Sequence, residues 1–168
     1  MTSDSPLKEK TILIVDDEPD VLETLEEELD MGYIDKASDY DTAMQKLRSF
    51  TYDIVILDIM GVNGFELLKE SVIREFPTVM LTAHSLSPES LKNSIKLGAV
   101  SFLPKEKIPE IRTFLEDVVL GGGKPVWQKL FDRLEGYFGN RFGADWKEKD
   151  EFFKEFEEVL KQSSQDNP

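Results

Sequence analysis

Three stretches of nearly continuous branched and long apolar residues, Thr11 to Asp16 (TILIVD), Tyr52 to Asp58 (YDIVILD) and Thr78 to Thr82 (TVMLT), are each followed by a segment with apolar residues at helical spacing. A strand that is apolar at almost every position must be covered on both faces, and such strands occur in parallel sheets with helices on either side. Two weaker runs, Tyr33 to Ala37 and Ser101 to Leu103, bring the expected strands to five. Five helices alternate with them. The first, Pro19 to Asp30, carries Val21, Leu22, Leu25 and Leu29 on one stripe, and Pro19 suits a first helical turn. Asp41 to Ser49, Gly64 to Arg74, Pro88 to Leu97 and Ile108 to Leu120 follow, with Ser87-Pro88-Glu89-Ser90 reading as a capped start. Crossovers between parallel strands are right-handed, so this α/β order predicts a five-stranded parallel sheet in an open three-layer α/β/α sandwich.

Gly121-Gly122-Gly123 interrupts the alternation, since three glycines in a row suit neither helix nor strand. The expected organisation is an N-terminal tail (1–9), a first domain (10–120), and a glycine-rich linker with a C-terminal α-helical extension (121–168). The extension shows two amphipathic stretches. Trp127, Leu130, Phe131, Leu134 and Phe138 form the first; after a break at Gly139 to Gly143, Trp146, Phe153, Phe156, Val159 and Leu160 form the second. Asp145 is the expected cap of the second, and residues 163–168 (SSQDNP) the expected frayed end. Stripes this rich in rings predict a helical hairpin that packs on the first domain or mediates self-association.

The chain has 34 Asp+Glu against 20 Lys+Arg, a net charge of −14. Residues 1–120 hold 12 basic and 24 acidic residues; residues 121–168 hold 8 and 10. Such a surface repels a phosphate backbone, and the extension offers no basic recognition helix, so no nucleic-acid partner is expected. Zero Cys and a single His, His84, exclude thiol chemistry, disulfides and any multi-histidine metal site. No apolar run approaches the ~20 residues of a membrane span. MTSDSPLKEK lacks an apolar signal stretch, so the expected location is cytoplasmic, with no membrane partner.

Ligands of an open parallel sheet bind beyond the carboxyl ends of its strands. The polar residues there are Asp16 and Asp17 after the first run, Asp58 closing the third, Thr82 with Ala83 and His84 after the fourth, and Lys105 after the fifth. Three carboxylates on one rim repel one another unless a cation lies among them, and with this composition the fitting ion is a hard, oxygen-seeking one such as Mg²⁺. Phosphoryl transfer needs an acceptor oxygen, a metal and donors that neutralise the transferring group. A carboxylate can be that acceptor. Asp58 is the best candidate, with Lys105 as a second compensating charge.

IVDDE (14–18), VILD (55–58) followed by Met60, LTA (81–83) and Pro104-Lys105 stand in the order and approximate spacing of a known family. Over residues 10–120 the chain resembles the receiver domain of two-component response regulators. The resemblance implies a flavodoxin-like fold in which Asp58 takes a phosphoryl group from the phosphohistidine of a sensor histidine kinase or phosphotransfer protein. It implies that Asp17, Asp58 and the backbone carbonyl of Met60 bind Mg²⁺, with Asp16 acting through a bound water. Thr82 and Lys105 would hold phosphate oxygens, and small Ala83 would leave room for them. Phe102 matches a switch position whose ring turns inward as Thr82 moves towards the phosphate. Met60 and His84 stand where the family tunes acyl-phosphate hydrolysis.

One loop departs from the family pattern. Asp58-Ile59-Met60-Gly61-Val62-Asn63-Gly64 reaches the glycine that opens the third helix two residues early and without a proline. Two other functions compete with a phosphoryl-accepting regulator. An aspartyl-phosphate phosphohydrolase would want a second acid two residues after the nucleophile, where Met60 stands; a phosphorylation-independent scaffold would have no use for the retained site residues. The expected output is a switched contact with an unidentified downstream protein, or a homodimer through the receiver face or the C-terminal helices.

Overall fold

The computed structural model describes residues 5–83 and 86–166; His84 lies outside the described residues. Five strands, β1 (Thr11–Val15), β2 (Tyr33–Ala37), β3 (Ile54–Asp58), β4 (Thr78–Thr82) and β5 (Ser101–Pro104), form one parallel sheet in the order β2-β1-β3-β4-β5. β3 and β4 are buried along their whole length. β3 begins at Ile54 and not Tyr52 because Asp53 turns back on the start of β1, exchanging backbone and side-chain hydrogen bonds with Thr11.

The connecting helices are α1 (Pro19–Glu28), α2 (Tyr40–Ser49), α3 (Gly64–Ile73), α4 (Pro88–Lys96) and α5 (Ile111–Leu120). The strand order reverses direction between β2 and β3, so right-handed crossovers place α1 and α5 on one face of the sheet and α2, α3 and α4 on the other. This is the three-layer sandwich expected from the alternation and the flavodoxin-like fold that the resemblance implies. Asp39 caps α2, its carboxylate accepting from the Thr42 N–H at 2.8 Å. Ser87 and Ser90 form a reciprocal capping box at the start of α4. The last crossover departs from expectation. Residues Lys105–Glu110 form a 3₁₀ turn, and α5 begins only at Ile111, because Pro109 has no N–H to donate to an α-helical ladder.

Residues at both ends are tied to this sandwich. Leu7 is fully buried, and the Ser5 hydroxyl donates to Glu116 of α5 at 2.8 Å. At the other end Gly122 and Gly123, both at positive φ, turn the chain out of α5, and the Val126 N–H then bonds the Val100 carbonyl at 2.9 Å. Helix α6 (Trp127–Phe142) and helix α7 (Glu151–Asp166) follow. The expected break at Gly139 does not occur. Gly139 faces open space inside α6, and the helix ends instead at Gly143, at φ +101°. Trp146 belongs to the connecting turn, and the carboxylate at the start of α7 is Asp150, which accepts the Phe152 N–H at 2.8 Å, in place of Asp145. Among the described residues, no helix is long and apolar enough to cross a membrane.

Candidate functional site

All five strands run the same way, so their carboxyl ends share one rim, and the polar residues that terminate the apolar runs meet there. The register places Asp58 beside Leu81 and Thr82 beside Pro104, which brings Lys105 to the mouth of the β3–β4 pair. Asp16 is fully buried at the end of β1, Asp58 and Thr82 are buried, and Asp17 and Glu18 are exposed. The Lys105 Nζ lies 2.9 Å from Asp16 Oδ2, 3.4 Å from Glu18 Oε1 and 3.4 Å from Asp58 Oδ1. Asp17, Glu18, Asp58, Met60, Gly61, Thr82 and Lys105 line a small cavity of about 110 Å³. A larger groove of about 620 Å³ between α4, α5, α6 and α7 is mostly apolar and has no comparable convergence of charge.

The electrostatics of this rim are unbalanced. Burial, reinforced by the charge of Asp16, pushes the Asp58 carboxyl up to about 7 against the opposing pull of Lys105. Burial also raises Asp16 by more than Lys105 and the Glu18 N–H lower it. Lys105 is itself disfavoured as a cation by burial, yet Asp16, Asp58 and Glu18 together hold it more strongly protonated than a free lysine. Asp16 Oδ1 accepts the Glu18 N–H at 2.9 Å, whereas Asp16 Oδ2 has no hydrogen bond and is balanced only by the charge of Lys105. One largely buried ammonium thus serves three carboxylates. Oxygens of Asp16, Asp17 and Glu18 within 4.8 Å of one another, with a buried Asp16 oxygen among them that faces the Lys105 ammonium at 2.9 Å, fit a hard cation such as Mg²⁺.

The shortened loop closes by backbone geometry. Gly61 stands at φ +79°, and a Cβ there would lie 2.6 Å from the Asp17 carboxylate. Asn63 occupies the left-handed region at φ 55°, ψ 56°, and a Cβ on Gly64 would fall 2.0 Å from the Asp58 carbonyl oxygen. The loop therefore presses its backbone against the Asp17 carboxylate and the Asp58 main chain. Ile59 and Val62 are buried beneath, leaving the Met60 side chain exposed over the cavity.

The rim unites Asp16, Asp17, Asp58, Met60, Thr82 and Lys105 as the sequence reading expects. Ala83 is exposed next to Thr82. Phe102 is placed elsewhere: its ring is fully buried and meets Phe138 of α6, with centroids 6.3 Å apart. Two residues are additions. Glu18 shares Lys105 with Asp16, and Gly61 backs Asp17; Glu18 was visible as the last letter of IVDDE, while nothing local marks Gly61.

The family profile described as "Response regulator receiver domain" matches residues 12–116. The chain is 34% identical over 101 residues to "Response regulator GtcR" of Aneurinibacillus migulanus, a match covering 57% of this chain and 41% of that protein. It is 29% identical over 122 residues to "Phosphate regulon transcriptional regulatory protein PhoB" of Escherichia coli strain K12, covering 65% and 53%. The chain thus spans about half the length of the curated relatives it matches. A two-component response regulator from Clostridium difficile superposes with a TM-score of 0.60 at 26% identity, covering 67% of this chain and 96% of that one. A response regulator from Thermotoga maritima, at 19% identity and a TM-score of 0.60 over 66% of this chain and 98% of that one, shares the fold. The chain belongs to the response regulator receiver domain family of two-component signal transduction.

Proposed function

We propose that this chain is a phosphoryl-accepting response regulator in which Asp58 is the acceptor. The observation that carries this is the Asp58 carboxylate at the end of β3, facing a small polar cavity with Lys105 and Thr82 on its walls. Receiver domains take phosphoryl groups from histidine kinases or phosphotransfer proteins. Here an Asp58 Oδ attacks the phosphorus of a phosphohistidine, a P–O bond forms, the P–N bond breaks, and the imidazole leaves with the electron pair. The acceptor must be ionised to attack, and Lys105 favours that state. Lys105 and the Thr82 hydroxyl then donate to phosphoryl oxygens.

Asp17, Asp58 and the Met60 carbonyl would hold Mg²⁺, with Asp16 acting through a water and Glu18 beside them. A bound Mg²⁺ neutralises charge on the phosphoryl oxygens. With Met60 where a hydrolase would place a second acid, the chain is a switch with slow self-dephosphorylation and not a turnover enzyme. It acts in the cytoplasm, through a protein contact and not on nucleic acid, which agrees with its net charge of −14.

Incubation with Mg²⁺ and a small acyl phosphate tests this. Intact mass should show an adduct of roughly 80 Da, the mass of one phosphoryl group, that decays slowly and is lost in Asp58→Asn. Absence of the adduct in the parent chain overturns the proposal.

A further inference from the structure

The groove of about 620 Å³ between α4, α5, α6 and α7 shares no lining residue with the cavity at Asp58, and phosphoryl transfer makes no use of it. Its size falls within the range of about 300–1,000 Å³ of small-molecule sites, which are mostly apolar with a few placed polar groups. The receiver contributes small residues to its walls, Gly98 and Ala99 after α4 and Gly121 after α5. The extension contributes large ones, Trp127 of α6 with Phe156 and Leu160 of α7. Leu120, 69% exposed, keeps the lip apolar.

Two charged side chains line the groove, Asp117 and Lys129. Asp117 is buried and accepts two bonds from Arg133, at 2.5 and 2.9 Å. Lys129 reaches the same carboxylate only at 3.9 Å, and its side chain is 59% exposed. The remaining polar side chain of the lining, Gln128, turns its amide to Asp132 at 3.0 Å. Arg133 thus neutralises Asp117, and Lys129 leaves the lining with a positive charge that no lining acid takes up, in a chain whose net charge is −14.

We propose that this groove binds a small apolar carboxylate, an alkyl or aryl acid whose body lies against Trp127, Phe156 and Leu160 and whose carboxylate pairs with Lys129. Burial of the apolar body supplies the affinity, and the ion pair at the lip supplies the preference for an anion. A cationic amphiphile finds no open acid in the lining, because Arg133 already occupies Asp117. A neutral one leaves Lys129 without a counterion. A ligand in this position touches α4 and α5 of the receiver and α6 and α7 of the extension together, so its binding holds the two parts to one another.

The test titrates the full chain with decanoate below its micellar concentration and follows the indole N–H signals by NMR, with decanol and decyltrimethylammonium as neutral and cationic counterparts. The Trp127 signal should shift saturably, and that of Trp146, which packs on Phe153 at 4.8 Å outside the groove, should shift less. Decanoate should bind about fivefold more tightly than decanol, and Lys129→Gln should abolish that preference. Parental decanol affinity in Lys129→Gln shows that the variant keeps the groove intact. No saturable Trp127 shift, equal binding of the three compounds, or a preference unchanged in Lys129→Gln overturns the proposal. So does a chain that sediments as a dimer and takes up decanoate only when Val159→Glu, at an exposed apolar position beside Leu160, makes it a monomer, because a second copy is then the occupant. The acceptor role of Asp58 stands or falls separately, on the phosphoryl adduct.

Discussion

Lys105 Nζ and Asp16 Oδ2 lie 2.9 Å apart, the ammonium almost buried and the carboxylate oxygen fully so, and that oxygen has no hydrogen bond. Deleting one partner of a buried pair leaves the other charge uncompensated. Lys105→Met should therefore destabilise the chain by about 3 kcal/mol at pH 8 in urea titrations. The loss should shrink at pH 5. Without Lys105, Asp16 and Asp58 titrate higher still in the folded chain than in the unfolded one, so the folded state binds more protons and stability falls as pH rises. A penalty that does not vary between pH 5 and 8 would contradict this account of the rim.

Asp58 has a folded value of about 7, against about 3.9 for an unperturbed aspartate. Between these values the folded chain holds a proton that the unfolded chain has released, and metal-free stability declines as pH rises through this window. Asp58→Asn has nothing to ionise. In the presence of a chelator it should raise the Tm by about 5 °C at pH 8, with little effect at pH 4. Added Mg²⁺ should recover the difference for the parent chain.

The loop after Asp58 makes two glycines unequal. Gly61→Ala places a methyl group at positive φ against the Asp17 side chain, which can swing away; we expect a cost of about 1 kcal/mol and weaker Mg²⁺ binding, read by calorimetry. Gly64→Ala meets the Asp58 backbone carbonyl, which cannot yield. It should cost roughly 3 kcal/mol or prevent folding. Equal effects of the two substitutions would refute this description of the loop.

Most of the sheet and most of the rim were legible in the sequence. Ile54 to Asp58 and Thr78 to Thr82 announce themselves because strands covered on both faces must be apolar throughout, and parallel direction then gathers their terminal acids. What stayed hidden depends on contacts distant in sequence. Gly139 reads as a break because an isolated helical glycine costs about 1 kcal/mol, but burial of the adjacent Phe138 offsets it. Pro109 signals a delayed start to α5 only if its missing N–H is weighed above the apolar spacing of Ile108 and Ile111. The need for Gly61 comes from the Asp17 carboxylate, 44 positions earlier in the chain. No periodicity reports that.

At the far edge of the sheet, Asp35 of β2 accepts from Lys46 and, at 2.7 Å, from the Tyr52 hydroxyl. Burial raises this carboxyl, but these donors outweigh it and hold it below the ordinary aspartate range. Its contribution to stability is full above the unfolded value near 4 and disappears as pH falls through the lower folded value. Asp35→Asn should lower stability at pH 7 by about 1 kcal/mol and flatten the acid limb of a stability–pH curve. An acid limb identical to the parent's would show that the network contributes nothing.

The most direct measurement is peptide mapping of the chain after reaction with Mg²⁺ and an acyl phosphate, with the acyl linkage trapped by borohydride reduction. The account predicts one modified residue, Asp58, in a single peptide spanning β3. Modification at Asp16 or Asp17, or at no residue, would contradict it.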